Sequence, residues 1–172
     1  MKKKLFLPLL LLTLVGVKAQ NVAKVGDAEY STLAAAVAAV PSGGTITMIA
    51  DAEEKDYCNI SKKMTIDLNG KTITVNISNS YGTLWDILSG VDVTIMDSSE
   101  GHAGRIVYGG NANNVILIAV DGKLTINSGT FTSSASTSSA CCIVSVKSGG
   151  TLIVNGGEFM SSLGRTSDTP GV

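Results

Sequence analysis

The chain is poor in the side chains that carry most enzyme and metal chemistry. It has one histidine, three cysteines and one tryptophan in 172 residues, and only 5% of it is aromatic. No Cys-x-x-Cys pair occurs, so the ligand spacing of a structural zinc site is missing and no metal or other cofactor is expected. A disulfide framework ordinarily rests on an even, denser set of cysteines than three. Cys58 stands apart, whereas Cys141 and Cys142 are adjacent in a strand-like run, where neighbours face opposite ways and only one points inward. The cysteines read as small apolar fillers. A basic cluster is also lacking. Residues 1–19 hold four of the thirteen basic residues and no acid, leaving nine basic against fourteen acidic residues beyond them, a net −5. That balance argues against charge-driven binding to nucleic acid or to an anionic membrane.

What is present begins with a targeting pattern. Lys2, Lys3 and Lys4 precede an apolar run from Leu5 to Val17, and Val17-Lys18-Ala19 places small residues where a signal peptidase cuts. The run is too short to span a bilayer as a helix. The reading is a signal peptide over 1–19 cleaved near Ala19, and an exported product (secreted, periplasmic or cell-surface) with no membrane span afterwards. No Cys at the boundary supports a lipid anchor.

Beyond the leader the dominant signal is a repeat. Met64-Thr-Ile, Val93-Thr-Ile, Leu124-Thr-Ile and Leu152-Ile-Val start short β-branched runs at intervals of 29, 31 and 28 residues. A period of that size built from strands predicts an all-β, right-handed parallel β-helix with about three strands per coil. In each coil a first strand (Met64-Leu68, Val93-Met96, Leu124-Asn127, Leu152-Asn155) turns into a second (Thr72-Val75, Arg105-Tyr108, Thr130-Thr132, Glu158-Met160). A third follows (Thr83-Leu88, Val115-Val120, Cys142-Val146), and Gly, Asn and Asp mark the corners. Alternation sends Ile66, Ile95, Ile126 and Val154 inward, with Ile73, Ile106, Phe131 and Phe159 in a second column and Trp85, Ile118 and Val144 in a third. Trp85 therefore reads as core, not as a sugar platform. Thr65, Thr94 and Thr125 line up outside, a row that would suit ordered water if Ile153 did not break it.

The one helix is predicted over 31–40. Ser31 or Thr32 caps it, Leu33, Val37 and Val40 share a face, and Pro41-Ser-Gly-Gly stops it. Lying before the first β run, it reads as a cap over a solenoid end. The β-helix domain is placed at 20–162 with coils over about 44–160, and residues 163–172 as an irregular tail. The last coil has no third strand or capping helix, which leaves Phe159 at an open end. That pattern suggests truncation, or further coils of the same chain.

Tyr30-Ser-Thr-Leu, then Ser42-Gly-Gly-Thr-Ile-Thr-Met-Ile-Ala-Asp, then Met64-Thr-Ile-Asp-Leu-Asn-Gly-Lys-Thr-Ile-Thr resemble exported right-handed β-helix proteins of the pectate-lyase-like superfamily. The resemblance extends over about residues 22–162 and is nearest to surface proteins of gut Bacteroidetes-type bacteria. It implies a fold more firmly than an activity, because that superfamily includes lyases, hydrolases and adhesins. Its lyases use a calcium-binding acidic cluster with an Arg base, and its polygalacturonase-like hydrolases use several Asp and a His motif.

The nearest counterpart here is the turn carrying Asp97, Glu100, His102 and Arg105, with His102 and Arg105 as catalytic candidates and Asp97 and Glu100 as ligand or ion candidates. Gly101-His102-Ala103-Gly104 is similar to a Gly-His-Gly motif, but the Asp pair expected in adjacent coils is missing, and too few oxygen ligands are in reach for calcium. Asn127 and Asn155 occupy one coil position, joined below by Asp67, and read as a structural hydrogen-bonded ladder. Lys71 and Arg105 begin an outward basic column that Thr130 and Glu158 do not extend. The Ser/Thr-rich stretch over 132–139 reads as a solvated loop. Together these favour an exported, non-enzymatic scaffold or adhesin-like surface protein presenting loops to carbohydrate or to a cell-surface partner. The alternatives are a polysaccharide lyase or glycoside hydrolase, or the N-terminal piece of a larger such protein.

Overall fold

The computed structural model describes residues 20–78, 82–110, 112, 114–133 and 141–161. The expected leader, the tail over 163–172 and most of the Ser/Thr-rich loop lie outside the described residues. In chain order, β1 (Ala23–Val25) and β2 (Ala28–Tyr30) form an antiparallel pair, and α1 (Leu33–Ala39) follows. Then come sets of three strands: β3 (Gly44–Met48), β4 (Ala52–Glu54), β5 (Cys58–Ile60); and β6 (Met64–Asp67), β7 (Thr72–Val75), β8 (Thr83–Ile87). The next are β9 (Asp92–Met96), β10 (Arg105–Tyr108), β11 (Val115–Val120); and β12 (Lys123–Ile126), β13 (Thr130–Ser133), β14 (Cys141–Val146). A final pair is β15 (Thr151–Val154) and β16 (Glu158–Ser161).

First strands join one sheet in the order β15-β12-β9-β6-β3-β1-β2, second strands another (β16-β13-β10-β7-β4) and third strands the last (β14-β11-β8-β5). Within the three-strand sets every pairing is parallel, so the molecule is mostly parallel β-sheet in a solenoid-like stack, with β1 and β2 the antiparallel exception. The first β run, expected to follow the helix, does open a set, but its interval is shorter than the repeat. Gly44 pairs with Met64, an interval of only 20 residues, so β3 to β5 form a shorter first set outside the repeat of about 30.

Alternation works as expected because each strand has one face toward the enclosed space. Ile46, Ile66, Ile95, Ile126 and Val154 are in register, as are Ile73, Ile106, Phe131 and Phe159, and Cys58, Trp85, Ile118 and Val144. Trp85 and Phe131 are fully buried, and burying side chains of this size contributes roughly 1.5–3 kcal/mol each. The last set departs from the inward expectation. Val154 and Phe159 keep their columns, but each is more than 40% exposed, since no described strand follows them. Phe159 still stacks on Phe131, with ring centroids 5.1 Å apart and an interplanar angle of 10°.

Helix α1 starts where Thr32 accepts a hydrogen bond from Ala35 N at 3.1 Å, and its last carbonyls, Ala38 and Val40, accept from Lys62 Nζ at 2.8 Å each. Cys58 is half-buried against the core, and Cys142 is solvent-exposed, so the filler role fits the first and not the second. Burial, and then Glu54, push the Cys58 thiol up from its ordinary range. Both are free thiols.

Candidate functional site

The turns between first and second strands stack above one another, and their backbone groups need partners. Two aspartates supply them reciprocally. Asp67 reaches forward, its Oδ1 accepting from Ser98 N at 2.9 Å and from Asn69 N at 3.0 Å, and its Oδ2 from the Ser98 hydroxyl at 2.6 Å. Asp97 reaches back, its Oδ1 accepting from Gly70 N at 2.8 Å and from Ser99 N at 3.1 Å, and its Oδ2 from Gly104 N. Burial works to raise the Asp97 carboxyl, but hydrogen bonds from Gly104, Ser99 and Gly70 outweigh it and hold the group below its ordinary range. Gly104 has to be glycine, because a Cβ there would stand 2.5 Å from Leu68 Cβ and 2.7 Å from Asp97 Oδ2.

This changes the reading of the Asp97, Glu100, His102 and Arg105 constellation. Asp97 is buried and its carboxylate is occupied by three backbone N–H groups, so it does not face a ligand. Glu100 is exposed and stands outside the groove. His102 and Arg105 do come together. Both line an open groove of about 590 Å³, with Asn127, Thr130 and Glu158 from the next two turns. His102 takes positive φ (49°), and its Nδ1 lies 2.7 Å from the Asp97 carbonyl. Nδ1–H donates to that oxygen, which leaves Nε2 as the nitrogen able to meet a ligand. Among the described residues no group of three or more His, Cys, Asp or Glu could hold a metal ion.

The outward column through this groove is Thr72, Arg105, Thr130 and Glu158, each in direct register. Lys71 is one residue off, contributing its carbonyl to Arg105 N at 2.9 Å, so the basic column expected from Lys71 and Arg105 does not form. Instead a guanidinium and a carboxylate are held on strands separated by one other, at two inter-strand spacings of about 4.8 Å each. On the rim, Asn155 Nδ2 donates to Asn127 Oδ1 at 2.9 Å. The ladder stops there, because Met96 stands between Asn127 and Asp67 in the register. The outward Thr row gains Thr45 at its start and ends at Ile153.

A second polar network, on the third sheet, was not apparent in the sequence. Tyr57 is 52% exposed, and its hydroxyl donates to Asn59 Oδ1 and approaches Asp86 Oδ2 at 3.3 Å. Lys147 Nζ bridges Asp86 at 3.1 Å and Asp121 at 2.8 Å, and these carboxylates raise its pKa. The in-register pairing of Asn59 with Asp86 was the available signal, but Lys147 lies 61 residues beyond Asp86.

Compared with family models, with curated proteins and with solved structures, the chain matches none of them. The class that fold and site define is thus a predominantly parallel-β, solenoid-like protein with an open polar groove along its stacked turns.

Proposed function

We propose that the chain is an exported right-handed parallel β-helix, closed at its N-terminal end by α1, that acts as a non-enzymatic scaffold. Its groove contacts carbohydrate on a cell surface or in a matrix, through Arg105, Glu158, Thr130 and the free nitrogen of His102. The observation that carries this reading is the engagement of Asp97. The acid that the resemblance to pectate-lyase-like proteins would make a ligand instead holds two turns together. Among the described residues Glu158 is then the one carboxylate lining the groove, whereas glycoside hydrolysis ordinarily needs two flanking the scissile bond. Donors and acceptors at regular strand spacing along an open channel suit the hydroxyls of a sugar chain.

A lyase or hydrolase is the second reading, favoured by one observation: Arg105, His102 and Glu158 line the same groove. One experiment separates the two. A panel of neutral and acidic polysaccharides is offered to the purified protein, and binding and release of reducing ends are both measured. The scaffold reading expects binding that Arg105→Ala weakens, with no new ends. Release of ends that Arg105→Ala abolishes would establish the enzyme.

A further inference from the structure

The sequence has two Asn-Gly dipeptides, Asn69-Gly70 and Asn155-Gly156, and the fold treats them oppositely. An Asn followed by Gly is open to attack of the glycine backbone nitrogen on the Asn Cγ. A new N–C bond closes a succinimide, the bond to the side-chain nitrogen breaks, and ammonia leaves with the proton. Water then opens the ring to Asp or isoaspartate. Glycine favours the reaction because no Cβ obstructs the approach. A backbone N–H held by a strong acceptor is withdrawn from it.

At Asn69-Gly70 both partners are held. Gly70 N donates to the Asp97 carboxylate at 2.8 Å, and Asn69 Nδ2 donates to the Met48 carbonyl at 2.9 Å. At Asn155-Gly156 no described residue holds the attacking nitrogen. Gly156 sits where earlier turns carry Leu68, Asp97 and Ser128, and at the first two of these the N–H points at the following turn. Leu68 N donates to Met96 O at 2.8 Å, and Asp97 N to Ser128 Oγ at 2.7 Å. Among the described residues no turn follows β15 and β16, and Gly156 N has no hydrogen-bond partner. Asn155 itself is exposed, tied through its side chain only by the single bond to Asn127.

We propose that Asn155 is a site of spontaneous deamidation, selected by the fold over Asn69. The product replaces the amide that donates to Asn127 with a carboxylate, and Asn127 lines the groove that also holds Glu158. The modified protein therefore has a more negative groove rim and a lower isoelectric point, whichever ligand the groove takes.

The test ages the folded full chain in mildly alkaline buffer at physiological temperature and maps its peptides by mass spectrometry over time. Conversion at Asn155 is expected to outpace that at Asn69 by about tenfold or more, the factor lost when a charge-assisted hydrogen bond must first break. In urea the two rates should converge, and Asn155→Gln should remove the product at that position while leaving the slow Asn69 rate unchanged. Equal rates in the folded chain, absence of conversion at Asn155, or a preference that persists in urea would each overturn the proposal.

Discussion

Replacing Asp97 by Ala removes the acceptor for three backbone donors at once, Gly70 N, Ser99 N and Gly104 N. A buried donor left without a partner costs about 1–3 kcal/mol. Gly104 N lies deepest, and water can reach the other two in part, so the net loss works out at about 3–5 kcal/mol. For a domain of this size that lowers the melting midpoint by about 10 °C, read by circular dichroism. The pH dependence follows from the direction of the Asp97 shift. Its pKa is lower folded than unfolded, so its contribution is fully present above the ordinary carboxylate range and is lost as pH falls through the folded-state value. The gap between wild type and Asp97→Ala should therefore be widest near neutrality and should narrow in acid. A loss below about 1 kcal/mol, or a gap that widens in acid, would refute the assignment of Asp97 to the turn.

Gly104→Ala places a Cβ 2.7 Å from Asp97 Oδ2 and should cost about 2 kcal/mol in chemical denaturation. Combined with Asp97→Ala it should cost less than the sum of the two single changes, as neighbours in one network do. Asn127→Ala, which removes the acceptor of the Asn155 amide, should destabilise by about 1 kcal/mol and lower the melting midpoint by about 3 °C, and an unchanged midpoint would count against the ladder. Trp85 is the sole tryptophan and is buried, so native emission should be blue-shifted and move red in a single transition on unfolding. Trp85→Ala should cost about 3–5 kcal/mol.

The columns were legible because an enclosed parallel sheet enforces a period of two within strands and a fixed register between them. Ile66 over Ile95 over Ile126 follows from the recurring Thr-Ile of the first strands and from alternation. The set from β3 to β5 was harder to see, since Glu53, Glu54, Lys55 and Asp56 interrupt its apolar pattern and its interval is short. The site was only half legible. His102 and Arg105 share a groove as their proximity in the chain suggests, but the carboxylate in the column of Arg105 is Glu158, two strands away. Asp97 looked free because its partners are backbone N–H groups, which no side-chain pattern records. The slip from Lys71 to Thr72 has the same origin: the turn before β10 is longer than the one before β7, and only pairing fixes which residue stands opposite Arg105.

The scaffold account meets its most direct test when one saccharide that binds the protein is followed to equilibrium with enzyme-grade sensitivity. Binding by titration calorimetry and chain length by chromatography are measured on the same sample, for wild type and for Arg105→Ala. The account predicts saturable binding, weakened in the variant, with the length distribution of the saccharide unchanged throughout. Shortening of the chains by wild type but not by Arg105→Ala would contradict it and make the groove an active site.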